Sequence, residues 1–195
     1  MNDETDALLT VAKLMVLAAR TAPKTKGQDY IVCKIISGEE KEKEAIAREM
    51  EKIGREMNKK GWLRDAQNLR DSPALVLVGV RNTPADMDCG ACGFQTCDNL
   101  RRNLRSAQMR IFAKQKLRAK KNGRDFKGPV CAMRLLDLGI ALCSAAKLAG
   151  ELNADNRIMY RIGVAAGNAR ALDADVIMGI PLSATGKSPF FDRPV

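Results

Sequence analysis

A chain of 195 residues with 46% apolar content is long enough for one domain with a substantial core, or one domain carrying an insert. Its net charge is +10, and residues 101–127, with eleven Lys or Arg against one acid, supply the whole excess. No apolar run approaches the ~20 residues of a membrane span, so no transmembrane helix is expected, and no membrane partner.

Ala7–Arg20 is almost continuously apolar and predicts a buried helix ending before Pro23. A polar loop, TAPKTKGQD, leads to a strand over Tyr30–Ile36 with Ile31, Cys33 and Ile35 on one face. Ser37-Gly-Glu-Glu40 reads as a capping box opening a charged helix, with Ile46, Met50, Ile53 and Met57 on one side. A shorter helix is expected around Trp62–Leu69, then a fully buried strand at Ala74–Val80. Asp98–Lys121 predicts a helix with Leu100, Leu104, Ala107 and Ile111 inward and arginines outward. After Gly128-Pro129, residues 131–149 predict a helix apolar on most sides. Its narrow polar stripe is Arg134, Asp137, Ser144 and Lys147, and Gly150 is its expected C-cap. A helix over about Arg157–Ala169 and a buried strand at Ala174–Ile180 complete a mixed α and β pattern. Tyr30, Trp62 and Tyr160 read as packing residues.

The opening MNDETD lacks the basic-then-apolar plan of a secretory leader, which gives a cytoplasmic expectation. Six cysteines are then reduced, and ligands are favoured over disulfides. Cys89, Cys92 and Cys97 follow a C-x2-C-x4-C spacing, with a glycine directly after each of the first two. Such glycines let backbone N–H groups approach sulfur and stabilise a negatively charged iron–sulfur cluster. Zinc is the rival. A zinc knuckle would put a histidine where Cys97 stands, and the chain has none. A four-cysteine ribbon would show a second C-x2-C pair.

A four-iron cluster needs a fourth thiolate, from Cys33, Cys131 or Cys143. Cys33 lies mid-strand on an apolar face and reads as a structural thiol. Cys131 and Cys143 sit on one helix roughly 18 Å apart along its axis, so both cannot reach one cluster. Cys143 falls in the apolar face and reads as core. Cys131 opens the helix, where the positive end of the macrodipole favours a thiolate, and is the expected fourth ligand. The alternatives are a cluster with one non-cysteine ligand or a three-iron form.

The stretch Cys89-Gly-Ala-Cys92-Gly-Phe-Gln-Thr-Cys97 resembles the three-cysteine core of the iron–sulfur motif of corrinoid iron–sulfur proteins and related electron-transport subunits. The whole chain more closely resembles the uncharacterised ferredoxin-domain-containing proteins of anaerobic bacteria and archaea. The carrying segments are AARTAPKTKGQD (18–29), DCGACGFQTC (88–97), GPVCAMRLLDLGIAL (128–142) and GIPLSATGKSPFFDR (179–193). That resemblance supports Cys131 as the fourth ligand.

More distantly the layout is similar to the flavin-dependent nitroreductases, through Ala18–Pro23, Ala74–Val80, the helix after Cys131, Gly179–Pro181 and Arg193. This implies an α+β fold, an intimate homodimer and FMN at the dimer interface. The arginine-serine-x-arginine with which nitroreductases hold the FMN phosphate has no counterpart here. Their loop asparagine and glutamine fall roughly on Gly27 and Asp29. The cations available for an FMN phosphate are Arg20, Lys24, Lys26, Lys187 and Arg193.

Gly186-Lys187-Ser188 imitates a phosphate loop, but Pro181 stands where the leading glycine belongs and Pro189 forbids the following helix. The basic tract has three readings: a solvated helix face, docking of an acidic redox partner or compensation of cluster charge, and nucleic-acid binding. With only Phe112 and Phe126 interleaved, a base-stacking platform is poorly supplied. No nucleophile–base pair is visible, so catalytic residues are unassigned; without histidine, proton transfer falls to Asp, Glu, Lys, Tyr or water.

The expected fold is α+β, a nitroreductase-like sandwich over residues 1–195, with an iron–sulfur insert at 84–131 that carries the basic helix. The expected function is one-electron transfer through one [4Fe–4S] cluster on Cys89, Cys92, Cys97 and Cys131. One alternative is an FMN-dependent oxidoreductase fed by that cluster; the other is a zinc-stapled module binding RNA or protein.

Overall fold

The structure is a computed structural model that describes residues 3–38, 41–113, 125–126 and 128–191. The chain runs α1 (Asp3–Thr21), β1 (Ile31–Ser37), α2 (Lys41–Glu56), α3 (Lys60–Arg70), β2 (Ala74–Val80), α4 (Cys97–Ala113), α5 (Ala132–Glu151), β3 (Asp155–Asn156), α6 (Tyr160–Asn168) and β4 (Val176–Ser183). A four-stranded sheet in the order β1-β2-β4-β3 is antiparallel throughout.

β2 organises the fold because every residue in it is buried. Its alternation sends Ala74, Val76, Val78 and Val80 to one face and Leu75 and Leu77 to the other. The first face receives α1 and α5, through Leu8, Ala12, Met15 and Ala19 against Leu138, Ala141, Leu142 and Ala145. The opposite face receives α2, α3 and α6, with Ile46, Met50, Trp62, Leu69 and Ile162. The result is three layers with a core on each side of the sheet. Fully burying a Leu or Ile contributes about 1.5–3 kcal/mol, so both faces are strongly anchored.

Two glycines set the distance between α6 and β4. A Cβ on Gly163 would lie 1.7 Å from the Ile177 carbonyl oxygen, and one on Gly179 would lie 2.2 Å from Ile162 Cγ2. The helix backbone therefore rests directly on the strand.

Most expected elements are present. Ile31, Cys33 and Ile35 do share the α1/α5 face. The proposed cap at Glu39-Glu40 lies outside the described residues, as does the expected continuation of α4 over 114–121. Three expectations are corrected. α5 does not end at Gly150: it runs to Glu151, and Asn153 takes the left-handed turn at φ 56°. There Ala154 N–H bonds Ala149 O at 2.9 Å and Asn153 N–H bonds Gly150 O at 3.1 Å, a Schellman ending in which Asn replaces Gly.

The second correction concerns the orientation of α5. Arg134 and Asp137 face inward and are almost fully buried, while Leu135, Leu136, Ile140 and Cys143 are exposed. Cys143 is thus on the surface and not in the core. The third concerns α1, which buries one face and leaves Leu14 and Leu17 outside.

Gly163→Ala tests the α6–β4 contact. Overpacking against backbone is expected to cost about 1–3 kcal/mol or more, and the thermal midpoint should fall by about 2–4 °C per kcal/mol in a chain of this size.

Candidate metal centre

The thiols are placed by the segment that leaves β2. Asn82 N–H donates to Asp175 Oδ2 at 2.7 Å, which fixes the first residues of the loop to the start of β4. The Asn82 side chain then holds a distant segment: its Nδ2 donates to Pro129 O at 2.7 Å, and its Oδ1 accepts the Cys131 N–H at 3.0 Å. One amide therefore grips the chain on both sides of Val130. Cys131 is the residue before α5, with φ −61° and ψ 122°, and is 4% exposed. Its position at a helix start favours negative charge.

The cysteine loop is built from left-handed turns. Asp86, Asp88, Gly90 and Gly93 all have positive φ, at 54°, 46°, 69° and 85°. The Gly93 N–H bonds Gly90 O at 2.9 Å, a tight turn around Cys92. Asp88 Oδ1 accepts the Cys97 N–H at 2.6 Å and closes the loop. Thr96 Oγ1 accepts the Asn99 N–H at 3.2 Å in the manner of an N-cap. Cys97 is thus the first residue of α4, and it is buried. Arg101 bonds both Asp98 and Asp86, and those carboxylates push the guanidinium pKa further up.

Two of the four candidate thiols consequently sit at helix starts. Cys131 joins Ala85 and Leu100 in a small apolar cluster, against which Cys92, Phe94, Leu104 and Met133 pack. Cys89 is exposed on the loop. Among the described residues, no three Cys, Asp or Glu side chains are grouped closely enough to hold a metal ion. The donor chemistry fits an iron–sulfur centre all the same: thiols only, no histidine, and two glycines in the left-handed region between them. Of the other two cysteines, Cys33 is half-buried on β1, and burial pushes its thiol pKa up, against the pull of Arg20 and Lys24. Cys143 is exposed on α5.

A buried ion pair sits one turn beyond Cys131. Arg134 NH1 lies 2.9 Å from Asp137 Oδ2, with side-chain exposures of 0% and 3%. The guanidinium also donates to Thr83 O at 3.1 Å, Gln28 O at 3.3 Å and Gln28 Oε1 at 2.8 Å, and it stacks 4.4 Å from the Tyr30 ring centre. Asp137 Oδ1 accepts the Thr25 N–H at 2.7 Å and the Thr25 hydroxyl at 2.8 Å. The pair thus ties α5 to the 22–30 loop and to the root of the cysteine loop.

The expected FMN cations have varied fates. Arg20 bonds Asp29 at 2.5 Å and Ile31 O at 2.8 Å. Burial alone would raise the Asp29 carboxyl, but the bonds from Arg20 and the Ile31 N–H outweigh it and hold the pKa below the usual range. Lys24 donates to Ala19, Arg20 and Ala22 carbonyls at 2.5–2.8 Å and ends α1. Lys26 reaches Asp86 O at 3.3 Å, and Lys187 is exposed. Arg193 lies outside the described residues. A cavity of about 400 Å³ lies elsewhere, against Asn153, Asp155, Asn156 and Phe191; Arg20, Lys24, Lys26, Lys187 and the thiols do not line it.

Sequence reading missed Asn82, Asp88 and the Arg134–Asp137 pair. For the pair a signal existed, since two opposite charges three apart on an apolar helix mark a buried bridge as readily as a solvent stripe.

A family model described as "Uncharacterized protein containing a ferredoxin domain (DUF2148)" matches residues 127–193. An "Uncharacterized protein" of Archaeoglobus fulgidus is 44% identical over 183 residues, covering 93% of this chain and 89% of its own. The chain belongs to this ferredoxin-domain family. The matched segment of the family includes Cys131 and the whole of α5. The architecture is that of nitroreductase-like flavoproteins. "The crystal structure of the oxidoreductase containing FMN" aligns at TM-score 0.52 and 14% identity, covering 96% of this chain and 69% of that one. A mutant of the "FMN and NADPH-dependent nitroreductase NfnB" from sphigopyxis sp. strain HMH aligns at 0.50 and 12%, covering 96% and 84%. At these identities the likeness establishes the fold alone.

Asp137→Ala leaves a buried guanidinium without its counter-charge and is expected to cost about 3–5 kcal/mol. The double change Arg134→Met with Asp137→Leu should recover part of that loss. Urea unfolding of the three proteins measures both; equal stability of Asp137→Ala and wild type would show that the pair carries no load.

Proposed function

We propose that this ferredoxin-domain protein is a one-electron carrier holding a single [4Fe–4S] cluster on Cys89, Cys92, Cys97 and Cys131. The observation that carries the reading is Asn82. Its side chain holds Cys131 at the root of the cysteine loop, in the apolar cluster against which Cys92 packs. A cluster bound there supplies reversible one-electron redox chemistry. The chain's own contributions are distinct. Gly90 and Gly93 open the backbone toward sulfur, the starts of α4 and α5 favour negative charge, and Ala85, Leu100 and Phe94 exclude water.

In this reading residues 84–131 are a redox insert on the nitroreductase-like frame, and the protein works in the reducing cytoplasm. Arg102 and Arg105, exposed on α4, present positive charge to an acidic redox partner. Leu14 and Leu17 on α1 with Leu136 and Ile140 on α5 are large exposed apolar side chains on two packed helices, which suits a homodimer contact. A second reading adds FMN, making the protein an oxidoreductase fed by the cluster; the flavoprotein fold favours it. Lys26 and Lys187 are then the phosphate cations best placed to change partners, because Arg20 and Lys24 already hold α1 and its following loop. Zinc in place of iron is the third reading.

Anaerobically isolated protein should contain about four iron and four sulfide per chain. Cys131→Ala should lose that stoichiometry, while Cys33→Ala and Cys143→Ala keep it. Zinc without sulfide would refute the electron-carrier reading, and a flavin band near about 450 nm would favour the oxidoreductase. Ile140→Glu should convert the dimer to monomer in sedimentation without changing iron content.

A further inference from the structure

We infer that the 24–29 loop and the cysteine loop are a coupled pair, joined by the Arg134 guanidinium with Gln28 as its adjustable contact. The metal arm of this inference rests on the proposed function; the mechanical arm does not. Arg134 is 0% exposed, and beyond its bond to Asp137 its donors divide between two segments far apart in sequence. On one side it holds Thr83 O, three residues before Asp86 and the left-handed turns of the cysteine loop. On the other it holds Gln28 through both the carbonyl and the side-chain oxygen. Asp137, its counter-charge, holds Thr25 through both the amide and the hydroxyl.

A buried guanidinium that loses an acceptor pays the full desolvation penalty of the freed N–H. Displacing the 24–29 loop strips Arg134 of both Gln28 acceptors and Asp137 of both Thr25 donors. Displacing the 81–86 segment strips Arg134 of Thr83. Each displacement makes the other easier, since the same side chain is left under-bonded. A ligand that fixes one segment thereby stabilises the other, and linkage makes the effect reciprocal. A metal gathered by the thiols would order the 24–29 loop, and a ligand on that loop would firm the thiol cage. Lys26, whose Nζ reaches Asp86 O at 3.3 Å on the exposed side, is a parallel link too weakly held to carry the effect.

Residue-resolved amide exchange tests both arms. In metal-free protein, Gln28→Ala should speed exchange at the Asn82 and Cys131 amides by about 5-fold or more. Met159, whose amide bonds Gly179 O of β4 in an isolated bridge at the fold's other core, should not change, which separates local release from general destabilisation. Lys26→Ala should leave Asn82 and Cys131 unchanged. In wild type, loading iron and sulfide should slow exchange at Thr25, Gly27 and Gln28 by a similar factor, and Gln28→Ala should remove that slowing at unchanged iron content. Unchanged exchange at Asn82 and Cys131 in Gln28→Ala overturns the coupling. So does loading that leaves the loop untouched, or a Lys26→Ala effect equal to that of Gln28→Ala. Failure of wild type to take up iron counts against the metal centre instead, and the metal-free comparison still decides the coupling.

Discussion

The buried pair of Arg134 and Asp137 is the constraint on which the site depends. A guanidinium at 0% exposure needs acceptors in fixed places, and here they come from α5 itself, the loop after α1 and the strand exit at Thr83. The loop after α1 and the strand exit are thereby held in one geometry against α5, which the core already anchors. Cys131 lies one turn before Arg134, and Asn82 lies beside Thr83, so the amide clamp on Cys131 inherits its position from the ion pair. Buried pairs are seldom a net source of stability. This one is better understood as a specifier of position.

The sheet provides the rigid reference. β2 is covered on both faces, and β4 beside it carries Asp175, whose carboxylate fixes the Asn82 amide. A rigid strand that ends directly at a functional loop is a familiar way to hold side chains on irregular backbone. The left-handed residues in that loop sharpen the point. Asp86 and Asp88 adopt a conformation that costs a non-glycine residue energy, and both carboxylates are bonded, Asp86 to Arg101 and Asp88 to the Cys97 amide.

The framework was legible because burial and periodicity leave strong marks. ALVLVGV has the composition of a strand covered on both faces, and its bounds in the structure are those read from sequence. The C-x2-C-x4-C spacing marks Cys89, Cys92 and Cys97 as candidate ligands, because chance seldom places three thiols so close. What periodicity could not supply was the side to which a charged residue turns. On α5 both the polar stripe and the apolar faces are compatible with facing inward, and the decision rests on acceptors contributed by Thr83 and Gln28 and donors contributed by Thr25, more than fifty residues away. Cys143 was misplaced for the same reason. The two-residue β3 carries no pattern at all; its pairing with Ser183 and Leu182 is a tertiary event. Of the cations available for an FMN phosphate, Lys24 closes α1 and Arg20 is joined to Asp29, contacts that composition alone does not show.

The most direct test is anomalous diffraction at the iron edge from crystals grown without oxygen. A single multi-iron peak bonded to the sulfurs of Cys89, Cys92, Cys97 and Cys131, with the Cys131 amide still on Asn82, is the predicted result. An iron site that leaves the Cys131 sulfur unbonded, or scattering only at the zinc edge, would contradict it.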